Sequence, residues 1–298
     1  MNKMLTLVRR EFWENRALWA APLIVGAILL VGAIFGRVEF GLPLNIVGDQ
    51  KRSLFGIITW GLTLPYFITM AIVLYFYLLD SLYSERRDRS ILFWKSLPVS
   101  DAETVLSKFL VATLIVPLGV FLLSLLTNLL VLAIFGIRGS GVAAGNPIVL
   151  WDARIWFGVQ GFILFSVLVA ALWYAPIAAY LMAVSAWAKR SVFIWAALPP
   201  ILLIMVERYV LGTERVLEFL RDRLVGFATL LTASGSKGSF NITIGEGAGH
   251  DRIPNVQKLF DSFDAARFVT DPGLWLGLIA AAALLYAAIR MRRYRDDT

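Results

Sequence analysis

Cysteine is absent from the 298 residues, and histidine occurs once, as His250. The first absence excludes disulfides, iron–sulfur ligation, thiolate zinc sites and cysteine nucleophiles. The second excludes any site that needs two imidazoles, such as an HExxH zinc centre. Charge is also scarce, at 16% of residues against 59% hydrophobic, and the mean hydropathy is +0.74. A soluble domain of this length is not so apolar throughout. The interiors of the long apolar runs contain no Asp, Glu, Lys, Arg or His. Ion-coupled carriers place ionisable groups at membrane depth, and intramembrane hydrolases need a nucleophile with a base or a metal. Neither chemistry is written here, so no catalytic residue and no metal ligand is assigned.

Six apolar blocks are long enough to cross a bilayer. They are Ala17 to Gly36, Leu54 to Leu79, Phe109 to Ile137, Ile155 to Ala188, Ser191 to Val206, and Gly273 to Ile289. The expected fold is an all-α integral membrane protein, a single transmembrane domain over 1–298. The fourth block is long enough to tilt or to kink at Pro176. Only Lys189 and Arg190 separate it from the fifth, which contains Pro199 and Pro200. Together they run to about 52 residues, too many for one crossing at helical rise, so they read as a hairpin of two spans. In the sixth, the run Ala280 to Ala283 suits close helix packing.

Lys and Arg set the expected orientation. With the N-terminus inside, segments 1–16, 80–108, 189–190 and 290–298 carry 15 basic residues. The two short outer loops, 37–53 and 138–154, carry 5. Both termini are therefore expected in the cytoplasm of a cell (inner) membrane. The net charge of +7 is spent at span ends facing anionic headgroups, so no nucleic-acid partner is expected. Residues 1–16, MNKMLTLVRREFWENR, place Met1, Leu5, Val8 and Phe12 on one helical face, with Trp13 and Trp19 suited to the interface. This reads as an interfacial helix lying apolar side down, not as a signal peptide.

Residues 207–271 are the one sizeable extracytoplasmic segment. Thr213 is a candidate N-cap, and Val216, Leu217, Leu220, Leu224 and Phe227 then follow helical spacing. A Gly- and Ser-rich stretch, 232–250, leads to a second helix that Pro254 can start, with Val256, Leu259, Phe260 and Phe263 on one side. Two short amphipathic helices are expected here, as a substrate gate or a passive cap. Neither Gly235 to Ser239 nor Gly139 to Pro147 has the GK[ST] of a phosphate loop.

The stretch SERRDRSILFWKSLPVSD, 84–101, lies between the second and third blocks. Glu85, Arg86, Arg87, Asp88 and Arg89 suit reversible docking to a charged partner, and Phe93, Trp94 and Leu97 suit pocket-filling anchors. Ser100 and Glu103 match a capping box that starts the next helix. Within the spans, Thr69, Tyr75, Ser124, Thr127, Asn128, Gln160 and Ser166 either line a path for an amphiphile or tie helices together.

The acidic-basic run, the apolar residues, the Pro98-Val99-Ser100 turn and Lys108 entering the next span together resemble the permeases of type 2 ABC exporters. The order of features along nearly the whole chain is similar: interfacial helix, six spans, charged loop after the second, helical outer segment before the sixth. The resemblance implies that Glu85 to Leu97 is a coupling helix fitting a cleft on an ATP-binding subunit. It implies two permease chains, identical or homologous, with two ATP-binding subunits that carry ATP and Mg. It further implies export of a lipid-linked, peptide or drug-like amphiphile. Two other readings stand beside it. One is an outer-face membrane enzyme using Glu39, Asp49 or Asp152; the other is a scaffold that docks a cytoplasmic partner without transport.

Overall fold

The computed structural model describes residues 3–36, 48–88, 99–138, 151–231 and 265–294. Helix α1 (Lys3–Glu14) is followed after two residues by α2 (Ala17–Phe35). The backbone barely breaks between them, because Asn15 donates its N–H to the Glu11 carbonyl and Ala20 reaches Arg16. Helix α3 (Gly48–Asp80) has 33 residues, about 50 Å at helical rise and longer than a hydrocarbon core. Short α4 (Tyr83–Arg87) follows it.

Helix α5 (Asp101–Leu110) opens on the capping box read from the sequence. Ser100 Oγ accepts from the Glu103 N–H at 3.1 Å, and the Glu103 carboxylate accepts from the Ser100 N–H at 2.8 Å. A π-helical turn, Val111–Ile115, passes α5 into α6 (Val116–Arg138) without a break in the rod. The third crossing thus begins two turns before the expected Phe109, because the cap starts the helix well ahead of the apolar run.

The fourth block is a kinked rod of α7 (Ala153–Trp173) and α8 (Ala175–Trp187). Pro176 has no N–H to give the Leu172 carbonyl, and its ring crowds that turn, so the rod bends at Tyr174. Ser191, at φ 49°, turns the chain tightly into α9 (Val192–Val206), giving the expected hairpin. Tyr180 closes it by donating to the Ala196 carbonyl at 2.9 Å. A π-helical turn, Glu207–Leu211, ends the rod, and Gly212 at φ 63° supplies the left-handed turn out of it.

The outer segment contains α10 (Arg215–Leu231) and short α11 (Ala265–Thr270). Thr213 does not cap α10 as expected. The Glu207 carboxylate does, accepting from the Arg215 and Val216 N–H groups at 2.8 and 2.6 Å and from Thr213 Oγ1 at 2.7 Å. A carboxylate at a helix N-terminus also meets the positive end of the helix dipole, an advantage a threonine hydroxyl lacks. The second helix expected from Pro254 lies outside the described residues. Helix α10 is fastened by Arg223, which is 6% exposed. Its guanidinium donates to the Gly273 carbonyl at 2.8 Å and sits 4.4 Å from the Trp173 ring centre. Trp173 Nε1 donates back to the Arg223 carbonyl at 2.9 Å, and the Tyr174 hydroxyl reaches the Leu224 carbonyl.

The last helix, α12 (Pro272–Tyr294), makes its main contact with α8. Buried alanines on both, among them Ala178, Ala179, Ala183, Ala281 and Ala288, allow the close approach that stabilises helix pairs in lipid. Of the run Ala280 to Ala283, only Ala281 turns inward. Six of the described helices are long and apolar enough to cross a membrane. An even number of crossings brings α1 and the end of α12 to one face, called here the terminal face. Large apolar side chains of α2 and α9, such as Ile28, Val31, Ile201 and Leu203, point outward, as surfaces facing lipid do.

Candidate functional site

At the terminal face, four helices bring charges into one buried cluster. The stripe Met4, Leu7, Glu11 turns Glu11 inward from α1. Asp101 and Lys108, seven residues apart, share one face of α5. On α12 the inward stripe Leu274, Gly277, Ala281, Leu285, Ala288 continues to Arg292. Glu85 comes from α4. Glu11 and Lys108 are 1% and 2% exposed, and Glu85 and Arg292 are buried too.

The contacts form a branched network centred on Glu85. Lys108 Nζ lies 2.8 Å from Glu11 Oε1 and 3.3 Å from Glu85 Oε1. Arg10 Nη2 lies 3.1 Å from the same Glu85 oxygen. Arg292 pairs with the other Glu85 oxygen through Nη1 and with Asp101 Oδ1 through Nε, the latter at 3.0 Å. The Tyr77 hydroxyl at the end of α3 donates to Glu11 Oε2 at 2.8 Å. Three cations, Arg10, Lys108 and Arg292, face the anions Glu11, Glu85 and Asp101, and Arg10 also pairs with the more exposed Glu14 at 2.7 Å. Burial works against the Arg10 charge, yet Glu14, Glu85 and Glu11 outweigh it and its pKa is raised. Each charged member of the cluster is ion-paired within it. Removing one member strands a buried charge, at about 3–5 kcal/mol.

Beside this network, Arg86 donates to the Ser185 and Ala188 carbonyls at the end of α8. Ser185 Oγ accepts from the N–H groups of Leu82 and Tyr83, both at 3.0 Å. The start of the 84–101 stretch is therefore bolted to the bundle. Of the candidate docking residues, Glu85 and Arg86 are engaged within the chain. Arg87 and Asp88 pair with each other at 3.0 Å and lie well exposed. Arg89, Phe93, Trp94 and Leu97 fall outside the described residues.

The polar residues singled out inside the spans separate into groups. Thr127 accepts from the Tyr66 hydroxyl at 2.6 Å. Asn128 donates to Thr63 Oγ1 at 3.1 Å and to the Ser124 carbonyl at 2.9 Å. Ser124 and Ser166 donate to carbonyls of their own helices. Gln160 is buried, Thr69 is half-buried, and Tyr75 is half-buried against the core, in a T-shaped pair with Phe193. Of the outer carboxylates, Asp152 caps α7 by accepting from the Arg154 and Ile155 N–H groups. Glu39 and the Asp49 side chain are outside the described set. Among the described residues, no group of three His, Asp or Glu could hold a metal ion.

Glu11, Tyr77 and Arg292 did not emerge as site residues from the sequence. The signal was present for two of them, since Glu11 and Arg292 each continue an inward apolar stripe by one step. An ionisable side chain on such a stripe needs a partner.

Residues 53–150 match the model of a family described as ABC-2 family transporter protein. The match covers the second and third crossings and the charged stretch between them, about a third of the chain. No curated protein and no solved structure matches the chain. The family match and the six apolar helices support a transporter permease of the ABC-2 type.

Proposed function

We propose that this multi-pass ABC-2 type permease is the membrane subunit of an ATP-driven exporter. It works with two copies of an ATP-binding subunit, which carry ATP and Mg, and with a second permease chain, identical or homologous. The chain itself is non-catalytic. It lies in the cell membrane with both termini and the 84–101 stretch in the cytoplasm, where the excess of Lys and Arg belongs. Its cargo is an amphiphile of the lipid-linked, peptide or drug-like kind.

The buried ion cluster carries this reading. A push on a slack loop would be lost before it reached the spans. Here the base of the 84–101 stretch is ion-paired to α1, α5 and α12 through Glu85 and hydrogen-bonded to the end of α8 through Arg86. Force applied at the exposed Arg87 and Asp88, or at Arg89, Phe93, Trp94 and Leu97 beyond them, then moves several helices together. The test is ATP hydrolysis by the complex that copurifies with the chain in mild detergent. A stoichiometric ATP-binding partner is expected. Arg87→Glu is expected to lower transport-coupled hydrolysis about tenfold, as when a specific charge contact is reversed, with the melting temperature unchanged. A chain that purifies alone under gentle conditions would overturn the reading.

A further inference from the structure

Among the described residues, three polar atoms in one region have no hydrogen-bond partner: Trp156 Nε1 and both amide atoms of Gln160. The two residues stand one turn apart on the same face of α7, and they are 5% and 4% exposed. Trp156 packs among Phe55, Phe121, Ile155 and Val159, in the seam where α7 meets α3 and α6. Other buried polar side chains of α3 and α6 are satisfied. Thr59 and Thr63 bond to backbone carbonyls, Tyr66 bonds to Thr127, and Ser124 and Asn128 are both engaged. Each buried polar atom left unpaired costs about 1–3 kcal/mol, and folded chains rarely keep three side by side.

We infer that Trp156 and Gln160 form an internal subsite for a small neutral group that both accepts and donates a hydrogen bond, such as a hydroxyl, an amide or water. The indole N–H and the amide NH2 are donors, and the amide carbonyl is an acceptor. A guest acceptor takes the indole proton while a guest donor meets the Gln160 carbonyl. The Gln160 side chain turns about three bonds, so the amide can follow the guest. Among the described residues, the neighbours in this cluster are apolar and offer no charge to balance an ion, which points to a neutral guest. Two sources supply this chemistry: an enclosed water, or the polar group of an amphiphile held between the helices. The subsite does not depend on ATP coupling.

The experiment compares the purified full-length chain with its Gln160→Met variant, which keeps the shape and removes the amide. An occupied subsite makes the variant less stable, lowering the melting temperature by several degrees. It also gives density bridging the indole nitrogen and the amide in a high-resolution map of the unsubstituted chain. Native mass spectrometry then separates the sources. A bound small molecule present on the unsubstituted chain and lost from the variant identifies an amphiphile; bridging density without such a mass identifies water. A rise in melting temperature would overturn the subsite, since removing an unpaired polar group from an empty site is stabilising. So would a map with no density between the two side chains, or with the indole bonded directly to the amide.

Discussion

An alanine at position 277 would place its Cβ 1.7 Å from Arg223 Nη2 and 2.7 Å from the guanidinium carbon. The glycine is thus the socket for the arginine that fastens α10 to the start of α12. Gly277→Ala is expected to destabilise the chain by about 1–3 kcal/mol, the usual cost of overfilling a packed site. The check is a double-variant cycle read by thermal melting. Arg223→Ala should cost less in the Gly277→Ala background than in the native one, because the clash has already expelled the guanidinium. Simple additivity would show that the two do not share the socket. Gly26 has a similar role on a smaller scale, as a Cβ there would meet the Tyr66 hydroxyl at 2.8 Å and Thr127 Oγ1 at 3.5 Å. A glycine's missing side chain says nothing in the sequence about which distant residue needs the room. These contacts were therefore not legible, although the residues themselves were in plain view.

At the scale of the helix, the ion cluster decides how α1 attaches. The expected apolar face of α1 is split in the structure: Val8 and Phe12 pack on the core while Leu5 stays well exposed. Glu11, not an apolar residue, makes the deepest contact. Lys108→Met should therefore cost about 3–5 kcal/mol by stranding Glu11 and Glu85. It should also loosen α1, so that trypsin cuts at Lys3 and Arg9 faster than in the native chain. Adding Glu11→Leu to Lys108→Met should restore much of the loss, because a matched apolar pair replaces the broken ion pair. A double variant no better than the single would mean that Lys108 acts on Glu85 alone. The helices themselves were largely readable. Uninterrupted apolar blocks, the Ser100–Glu103 capping box, Pro176 and the Lys189–Arg190 hairpin turn are local signals, and a helix, cap, kink or turn formed at each, although the helices of the second and third crossings begin ahead of their apolar blocks. Partners were not readable, since Glu85 meets Arg292 across most of the chain's length, and no spacing rule links positions so far apart. The Thr213 cap misled for the same reason. A stronger acceptor, Glu207, is folded back onto the helix from the preceding rod.

Across the whole molecule, α12 joins the two ends. Arg292 near its C-terminal end belongs to the ion cluster, and Gly273 and Gly277 at its start hold Arg223 of α10. The 15 helical steps from Gly277 to Arg292 span about 22 Å at helical rise. Over that length α12 is backed by α8, with close-packed alanines that leave little room to bend. A stiff rod held at both ends transmits displacement, whereas a hinged one absorbs it. The kink at Tyr174 lies where α7 and α8 meet, and Trp173 and Tyr174 both touch α10. The cap on the far face is therefore held by a straight rod and a bent one. Weakening the cluster should free α12 to shift and reach the cap without touching it. Glu85→Gln removes the charge that Lys108, Arg10 and Arg292 share while keeping the side chain's size. Hydrogen–deuterium exchange of α10, on the opposite face of the bundle, is expected to rise several-fold in that variant. Exchange in α9, none of whose residues takes part in the cluster's ion pairs, should stay at the native rate. An unchanged α10 would show that the two ends of α12 are independent. A rise in both helices would show general loosening instead of transmission along the rod.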